Sequence, residues 1–233
     1  NQRIYFLEII MERKKYTKWD TLYDSEHRSL FSKIEEIAIN NYFSKIFTKA
    51  ILSSTNLKSG KVFEPGSGGG MASARLASLG FELTCMDLSQ NALRKNTSLF
   101  KSLSLDGKYI LGDIFHIPIK SEQFDIVFNQ GVMEHFRLEE MNPSHGVHEM
   151  LRTVKKGGTL IILVPAYLSP LFLIYRFLKF FHLIEKFWPY EDQDFLHRNE
   201  LFEMMEKAQC KNIVVRRLWS SFFFSMIGYC KKQ

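Results

Sequence analysis

The fold is decided by the stretch Lys61-Val62-Phe63-Glu64-Pro65-Gly66-Ser67-Gly68-Gly69-Gly70. A short apolar run ends in an acid, and four glycines follow within five positions. Glycine permits a positive φ and lets the backbone approach a ligand without hindrance from a Cβ atom. A plain tight turn between a strand and a helix needs one glycine rather than four. The stretch therefore predicts a ligand-binding loop at a helix N-terminus, where free N–H groups face an anionic group.

Strand-like and helical stretches alternate on the C-terminal side of this loop. Apolar runs at 61–64, 82–87, 109–111 and 124–129 predict strands, and a fifth at 159–164 follows an expected turn at 155–158. Helices are expected at 71–79 and at 89–103, where Ser89 is a suitable N-cap. Strands and helices that alternate at this spacing predict an α/β protein with a parallel, doubly wound sheet.

The flanking segments add helices and an edge to this core. Apolar residues recur at three- to five-residue steps from 25 to 53, which predicts a helix. A further helix is expected at 198–208, and strands at 212–218 and 221–229 could pair as an antiparallel edge.

The glycine spacing bears on the identity of the ligand. In the dinucleotide fingerprint GxGxxG, the third glycine would fall at Met71, whereas this chain has it at Gly70. Glu64 would also repel a pyrophosphate at this position, but it suits a cationic ligand. S-adenosylmethionine carries a sulfonium, an ammonium and one carboxylate, so it fits better than a nicotinamide dinucleotide.

Two further acids follow at successive strand ends. Asp87, 23 residues after Glu64, can accept the hydroxyl hydrogens of a ribose, with each charged hydrogen bond contributing about 1.5–3 kcal/mol. Asp113 can accept from an adenine amino group while Ile114 lies against the ring. A capping or turn role is the alternative for both acids. A parallel sheet brings its strand ends to one crevice, which favours the ligand-binding interpretation.

These residues resemble the class I S-adenosylmethionine-dependent methyltransferases, in particular the group that includes enzymes of ubiquinone and menaquinone biosynthesis. The loop from Glu64 to Gly70 is similar to that family's ExGxGxG motif. Asp87 matches its ribose-binding acid, and residues 112–114 match its adenine-contacting segment. Residues 124–135 resemble the fourth strand with its following loop, and residues 149–165 resemble the fifth strand region. The resemblance covers about 60–166.

The resemblance implies a Rossmann-like seven-stranded, mostly parallel sheet with an antiparallel last strand, helices on both faces and an N-terminal helical cap. One methyltransferase domain would span 1–233: a cap at 1–56, a cofactor-binding core at 57–166, an apolar insertion or lid at 167–195, and a C-terminal helix and strands at 196–233. S-adenosylmethionine is the implied cofactor and S-adenosylhomocysteine the product. The residues expected to bind it are Glu64, Gly66, Ser67, Gly68, Gly70, Asp87, Leu88, Gly112, Asp113, Ile114, Asn129 and Gln130.

The sequence predicts less about the methyl acceptor than about the methyl donor. No Asn-Pro-Pro-Tyr or Asp-Pro-Pro-Tyr follows the fourth strand, so methylation of nucleobase amino groups is not implied. His135 is the best-placed candidate for a general base, although it could instead orient its loop or cap a helix. The expected acceptor is small and apolar or aromatic, and the candidates for its pocket are Trp19, Tyr23, Tyr167, Phe177 and Phe181.

The insertion at 167–188 admits three interpretations. It reads as a helix from Leu171 onward, with Arg176, Lys179, His182 and Lys186 in one arc and apolar residues over most of the rest. It could be a lid over the acceptor, a packing or oligomer surface, or a helix at 171–188 in peripheral contact with a membrane. Its prolines and charges argue against a membrane-spanning helix.

The amino-acid composition limits the classes of partner, location and function that remain. The chain has 233 residues, of which 45% are hydrophobic and 24% charged, and a net charge of +6. Its basic residues are dispersed, so nucleic acid is not the expected partner. The three cysteines show no paired spacing, which favours a reducing, cytoplasmic location. No metal is expected, because His145 and His148 lack further ligands. A catalytically silent cofactor-binding partner subunit and a nicotinamide-dependent oxidoreductase are the alternatives to a methyltransferase.

Overall fold

The structure is a computed structural model that describes residues 19–21, 23, 42–138, 141–184, 194–221 and 224–233. The strands within these ranges are β1 (Lys61–Pro65), β2 (Glu82–Asp87), β3 (Gly107–Leu111), β4 (Phe124–Gln130), β5 (Val154–Pro165), β6 (Val214–Arg217) and β7 (Ser225–Lys231). The helices are α1 (Ser44–Thr55), α2 (Met71–Ser78), α3 (Gln90–Ser102), α4 (Met133–Leu138), α5 (Pro143–Thr153), α6 (Pro170–Phe180) and α7 (Arg198–Lys207).

The seven strands form one sheet in the order β3-β2-β1-β4-β5-β7-β6. Strands β1 to β5 pair in parallel, whereas β7 is antiparallel to both of its neighbours, β5 and β6. The predicted Rossmann-like sheet with an antiparallel last strand is therefore confirmed. The predicted pairing of the final two strands is also present, with β6 at the edge and β7 inside the sheet.

Helices cover both faces of the sheet because successive strand residues point to opposite sides. In β5, Leu160, Ile162 and Val164 join the core under α4, α5 and α7, while Ile161 and Leu163 join the core under α1, α2 and α3. All five of these side chains are buried. A sheet that is apolar on both faces requires cover on both, which explains the near-continuous apolar runs in the sequence.

Some predicted boundaries are wrong in detail. The expected turn at 155–158 lies inside β5, where it forms an irregularity between the pairs Phe124–Val154 and Ile126–Thr159. The backbone N–H of Gly157 donates to the Lys232 carbonyl at 2.8 Å, which draws this glycine-rich segment into the sheet. The last strand begins at Ser225 rather than at 221, because Trp219–Ser221 form a 3-10 turn.

The described residues contain the C-terminal part of the predicted 25–53 helix and a helix in the insertion that ends earlier than predicted. Helix α1 begins at Ser44, and most of the expected 25–53 helix lies outside the described residues. Helix α6 begins at Pro170, where the Ser169 hydroxyl caps it by accepting from the Phe172 N–H at 3.1 Å. It ends at Phe180, and His182 has a φ of 53° that a helix cannot contain. Residues 185–193 lie outside the described part.

The β1–α2 turn depends on three of its four glycines. Gly66, Gly68 and Gly70 have φ values of 73°, 50° and 70°, a region that side chains rarely adopt. A Cβ atom on Gly70 would overlap the Oδ1 atom of Asn96, which reaches the turn from α3. A Cβ atom on Gly69 would meet no atom within 4 Å. The conformation of the turn therefore does not require a glycine at position 69.

We expect Gly70→Ala to lower the free energy of unfolding by about 2 kcal/mol or more, because it combines a left-handed φ with steric overlap. Gly69→Ala is the matched control and should change it by less than about 0.5 kcal/mol. Urea unfolding followed by circular dichroism measures both. Equal destabilisation by the two variants would contradict this account of the turn.

Candidate functional site

The polar residues that end the parallel strands meet at one edge of the sheet. Glu64 near the end of β1 pairs with Cys85 of β2, and Asp87 at the end of β2 pairs with Leu111 of β3. Asn129 lies near the end of β4, which neighbours β1 on the other side. Parallel strands thus gather the sequence-predicted acids into one crevice, as the topology requires.

Glu64 is buried with only 3% of its surface exposed. Its Oε2 accepts a hydrogen bond from the Ser73 hydroxyl at 2.5 Å. Burial raises the pKa of the carboxyl group to about 8, and the neighbouring Asp87 adds to the rise. A carboxyl group held this way gains from a nearby cation, which would favour its ionised form. Sequence reasoning missed Ser73, whose small side chain gave no signal within the apolar start of α2.

Asp87 is also buried and holds the glycine turn. Its Oδ2 accepts from the Gly68 backbone N–H at 2.8 Å, and its Oδ1 accepts from the Ser89 N–H at 2.9 Å. Burial is the main cause that raises its pKa, and both backbone hydrogen bonds oppose the rise. Asp87 therefore stabilises the turn, which was the alternative to a ligand-binding role. A carboxylate oxygen has a second lone pair, so this role leaves room for a ligand hydroxyl.

Asp113 occupies the corresponding place after β3. Its Oδ1 accepts from the Phe115 N–H at 3.0 Å, which stabilises the turn that follows. The N–H of Gly112 donates to the Asp87 carbonyl at 3.0 Å, so these two loops are tied together. Ile114 is buried in the core, whereas Leu88 is half-buried beside Asp87.

Asn129 offers a test of whether the crevice fits S-adenosylmethionine. Its Nδ2 donates to the Pro65 carbonyl at 2.7 Å, which fixes the orientation of the amide. Its Oδ1 is buried and has no hydrogen-bond partner in the structure. An ammonium group would supply the missing donor, and neighbouring Glu64 would favour its charge. The Asn129 Oδ1 atom and the Glu64 carboxyl group therefore fit the cationic amino-acid end of the cofactor. Gln130 lies next to Asn129 and is half-buried.

Asn96 is a residue of the site that sequence reasoning missed. This buried α3 side chain donates from Nδ2 to the Ser67 hydroxyl at 3.0 Å and to the Gly68 carbonyl at 2.8 Å. It therefore fixes the glycine turn from the side of the next helix. The available signal was an asparagine in a helix interior, where its propensity is poor and a specific role is more common.

A short N-terminal segment covers the crevice. A Cβ atom on Gly68 would overlap the Tyr23 hydroxyl, so this tyrosine lies directly against the glycine turn. Asp20 anchors the segment, since its Oδ1 accepts from the Ser89 hydroxyl at 2.6 Å and from the Asn91 N–H at 3.2 Å. Both contacts lie at the N-terminal end of α3, where a helix favours a negative charge.

His135 lies beneath this cover rather than in the open crevice. It is 5% exposed, and its ring meets Trp19 edge to face with centroids 5.0 Å apart. The structure thus brings together His135 and Trp19, two residues that the sequence singled out for separate reasons. A general base must lie within hydrogen-bond reach of its proton, so a catalytic role for His135 stays a prediction.

The aromatic residues of the insertion differ in their packing and in their exposure to solvent. Tyr167 packs against Phe172 and His197, with ring centroids 4.5 and 3.9 Å apart. Phe177 and Phe181 contact each other at 4.7 Å and remain more than half exposed. Their proposed membership of an acceptor pocket stays a prediction.

His145 and His148 lie on α5, and both side chains are exposed to solvent. Among the described residues, no group of three or more histidine, cysteine or acidic side chains could hold a metal ion. Glu149 instead binds Arg152 through both carboxylate oxygens, at 2.8 and 2.9 Å. That ion pair lowers the pKa of Glu149 and steadies the loop after Asp113, because Arg152 also donates to the Ile117 carbonyl at 2.9 Å.

Comparisons with known proteins agree with this geometry. The methyltransferase domain family matches residues 63–162, which include every strand end of the crevice. No curated protein sequence matches the chain. An S-adenosylmethionine-dependent methyltransferase from Thermotoga maritima has a similar structure, with a TM-score of 0.65 at 20% identity; the match covers 87% of this chain and 95% of that one.

Two further solved structures show the range of the fold. The magnesium protoporphyrin IX methyltransferase of Synechocystis, solved with bound S-adenosylhomocysteine, matches with a TM-score of 0.66 at 14% identity over 98% of this chain and 99% of that one. The [4+2]-cyclase SpnF matches with a TM-score of 0.60 at 15% identity over 80% of this chain and 79% of that one.

These likenesses establish the fold of the chain. Residues 63–162 match the methyltransferase domain family, and the chain has the Rossmann-like fold of these methyltransferase structures.

Proposed function

We propose that this enzyme transfers the methyl group of S-adenosylmethionine to a small apolar or aromatic acceptor. The observation that carries the proposal is the aromatic cover over an acid-lined crevice, with Tyr23 against Gly68 and Trp19 against His135. Such a cover excludes water and favours a flat or apolar partner. The Rossmann-like fold alone does not decide the reaction, since the similar SpnF is described as a cyclase.

The cofactor, when bound, supplies a methyl group on a cationic sulfur that is already activated for displacement. The protein therefore has to position it and keep water away. In our proposal Asp87 accepts from the ribose hydroxyls, Asp113 from the adenine amino group, and Asn129 from the ammonium. Leu88 and Ile114 line the base, and the N-terminus of α2 faces the carboxylate.

The acceptor side of the proposal rests on His135 and Tyr167 together with the cover. A nucleophile that is already deprotonated needs no base, whereas a hydroxyl acceptor would need His135 to take its proton. The burial of His135 beneath Trp19 supports a role close to the reacting atoms. Quinone precursors, on which one subgroup of class I methyltransferases acts, have the apolar character that this acceptor requires.

Titration calorimetry tests the identity of the cofactor. Wild-type protein should bind S-adenosylmethionine with micromolar affinity and NADH not at all in titration calorimetry. Asp87→Ala should weaken binding at least tenfold, about 1.4 kcal/mol, because it removes the acceptor for the ribose and a support of the Gly68 turn.

Asp106→Ala is the matched control. It removes the same charge from an exposed position before β3, at the opposite edge of the sheet, and should leave the affinity unchanged. Thermal melting of both variants separates lost binding from lost folding. Binding of NADH in place of S-adenosylmethionine would overturn the assignment of the cofactor.

The acceptor class is tested with methyl-tritiated S-adenosylmethionine and a panel of phenols, quinols, aromatic amines and polar amino acids. We expect label to enter the organic phase only with the apolar aromatic compounds. Label that enters only the polar amino acids would contradict the proposed class. Cofactor binding without label in any product would favour the silent partner subunit.

The exposed side of α6 supports a peripheral contact with a membrane as a second proposal. Tyr175 is buried against the protein, whereas Leu173, Ile174, Phe177, Phe180 and Phe181 are exposed, with Phe180 reaching 77%. At 100° per residue these five side chains span an arc of about 120° opposite Tyr175. Exposed apolar surface of this kind marks an interaction site.

The charges around α6 favour an anionic lipid surface as the partner. Arg176 and Lys179 are exposed on one flank of the apolar arc, and no acidic residue occurs between Pro165 and Ile184. None of the helices in the described part has the length and apolar character needed to cross a bilayer. The arrangement is typical of a helix that lies in the interface, which would bring the site near apolar acceptors dissolved in the lipid.

We therefore expect the protein to float with phosphatidylcholine vesicles that contain phosphatidylglycerol, and more weakly with phosphatidylcholine alone. Phe177→Asp with Phe181→Asp should abolish flotation, because it places charges in the apolar arc. Leu103→Asp with Trp219→Asp, two exposed apolar residues outside α6, is the control and should still float. Absence of flotation by the wild-type protein would exclude this contact.

A further inference from the structure

A second groove lies outside the cofactor crevice, between α1 and α2. The groove is open to solvent and has a volume of about 460 Å³, and its walls combine cations, hydroxyls and a small apolar rim. The cations are Lys45, Lys49 and Arg75, and the rim is formed by Leu52 and Leu79. The methyl-transfer proposal uses none of these residues. The groove is large enough for a phosphorylated small molecule rather than a lone inorganic ion.

The cations of the groove have no acidic partner within the described part of the chain. Among the described residues, none of Lys45, Lys49 and Arg75 forms an ion pair. Between Tyr42 and Gly80 the sequence contains one acid, Glu64, which is buried and bonded to Ser73. Lys45 and Lys49 are four residues apart on α1, a spacing at which like charges destabilise a helix. A bound anion would relieve that repulsion.

A buried hydroxyl points to the same ligand independently of the charges. Thr48 lines the groove and is only 6% exposed, yet its Oγ1 has no hydrogen-bond partner in the structure. A helical threonine commonly satisfies this group by donating to the carbonyl four residues earlier, which Thr48 does not do. A phosphate oxygen is an acceptor that would satisfy it.

Arg75 is fixed in a position from which it can bind an anion. Its Nε donates to the Ser44 hydroxyl at 2.7 Å, which anchors the half-buried guanidinium between the two helices. The terminal N–H groups remain for a ligand, and their planar fork matches a phosphate. Two flexible lysines and one anchored arginine thus converge on the groove.

We propose that the α1–α2 groove binds a phosphorylated small molecule. Its phosphate lies among Lys45, Lys49, Arg75 and the Thr48 hydroxyl, and its less polar part lies against Leu52 and Leu79. The site is separate from the methyl-transfer crevice. The two share α2, because this helix begins at the glycine turn and carries both Ser73 and Arg75.

Inorganic pyrophosphate is the probe, titrated by calorimetry at low ionic strength. We expect the wild-type protein to bind it with a dissociation constant below about 1 mM. Lys45→Ala with Lys49→Ala should weaken binding at least tenfold. Thr48→Val, which keeps the shape and removes only the hydroxyl, should weaken it at least threefold.

Lys101→Ala with Lys108→Ala is the matched control, since it removes two exposed lysines away from the groove. Circular dichroism checks that each variant is folded. Equal affinity in the control and groove variants, or no binding by the wild-type protein, would overturn the proposal. Groove-dependent flotation with phosphatidic acid vesicles, without pyrophosphate binding, would overturn the soluble ligand and assign the phosphate to a lipid headgroup.

Discussion

The contact between Asn96 and the glycine turn is the constraint on which the site depends. One amide donates to the Ser67 hydroxyl and to the Gly68 carbonyl, and it fills the space that a side chain on Gly70 would occupy. The turn can pass this closely only with left-handed backbone at three glycines. Helix α3 therefore fixes the geometry of the loop that joins β1 to α2.

The electrostatic character of the crevice follows from burial. Glu64 and Asp87 lie in a region of low dielectric, where the pKa of each rises because the charged form loses its hydration. Backbone N–H groups and the Ser73 hydroxyl supply part of the missing stabilisation. A cationic ligand supplies more, which explains why an acid-lined strand edge suits S-adenosylmethionine and opposes a pyrophosphate.

The sequence predicted the sheet well because apolar strand runs and the spacing between strands and helices are local properties. Glu64, Asp87 and Asp113 could be placed together from topology, since parallel strands end at one edge, whereas Asn129 was expected there from the family resemblance. Asn96, Ser73 and Asp20 could not be placed in this way, because their roles depend on which helix or segment packs against the loop. The turn at 155–158 was misplaced for a similar reason: its conformation is set by pairing with the distant Lys232.

The position of β7 has a consequence for the way the chain folds during synthesis. This strand is the last of the seven in sequence, yet it lies between β5 and β6 and hydrogen-bonds to both. Until it emerges from the ribosome, β5 keeps an open edge whose residues are among the most apolar of the protein. The nascent chain therefore carries an aggregation-prone edge from the completion of β5 until β7 pairs with it, an interval in which about 60 further residues are synthesised.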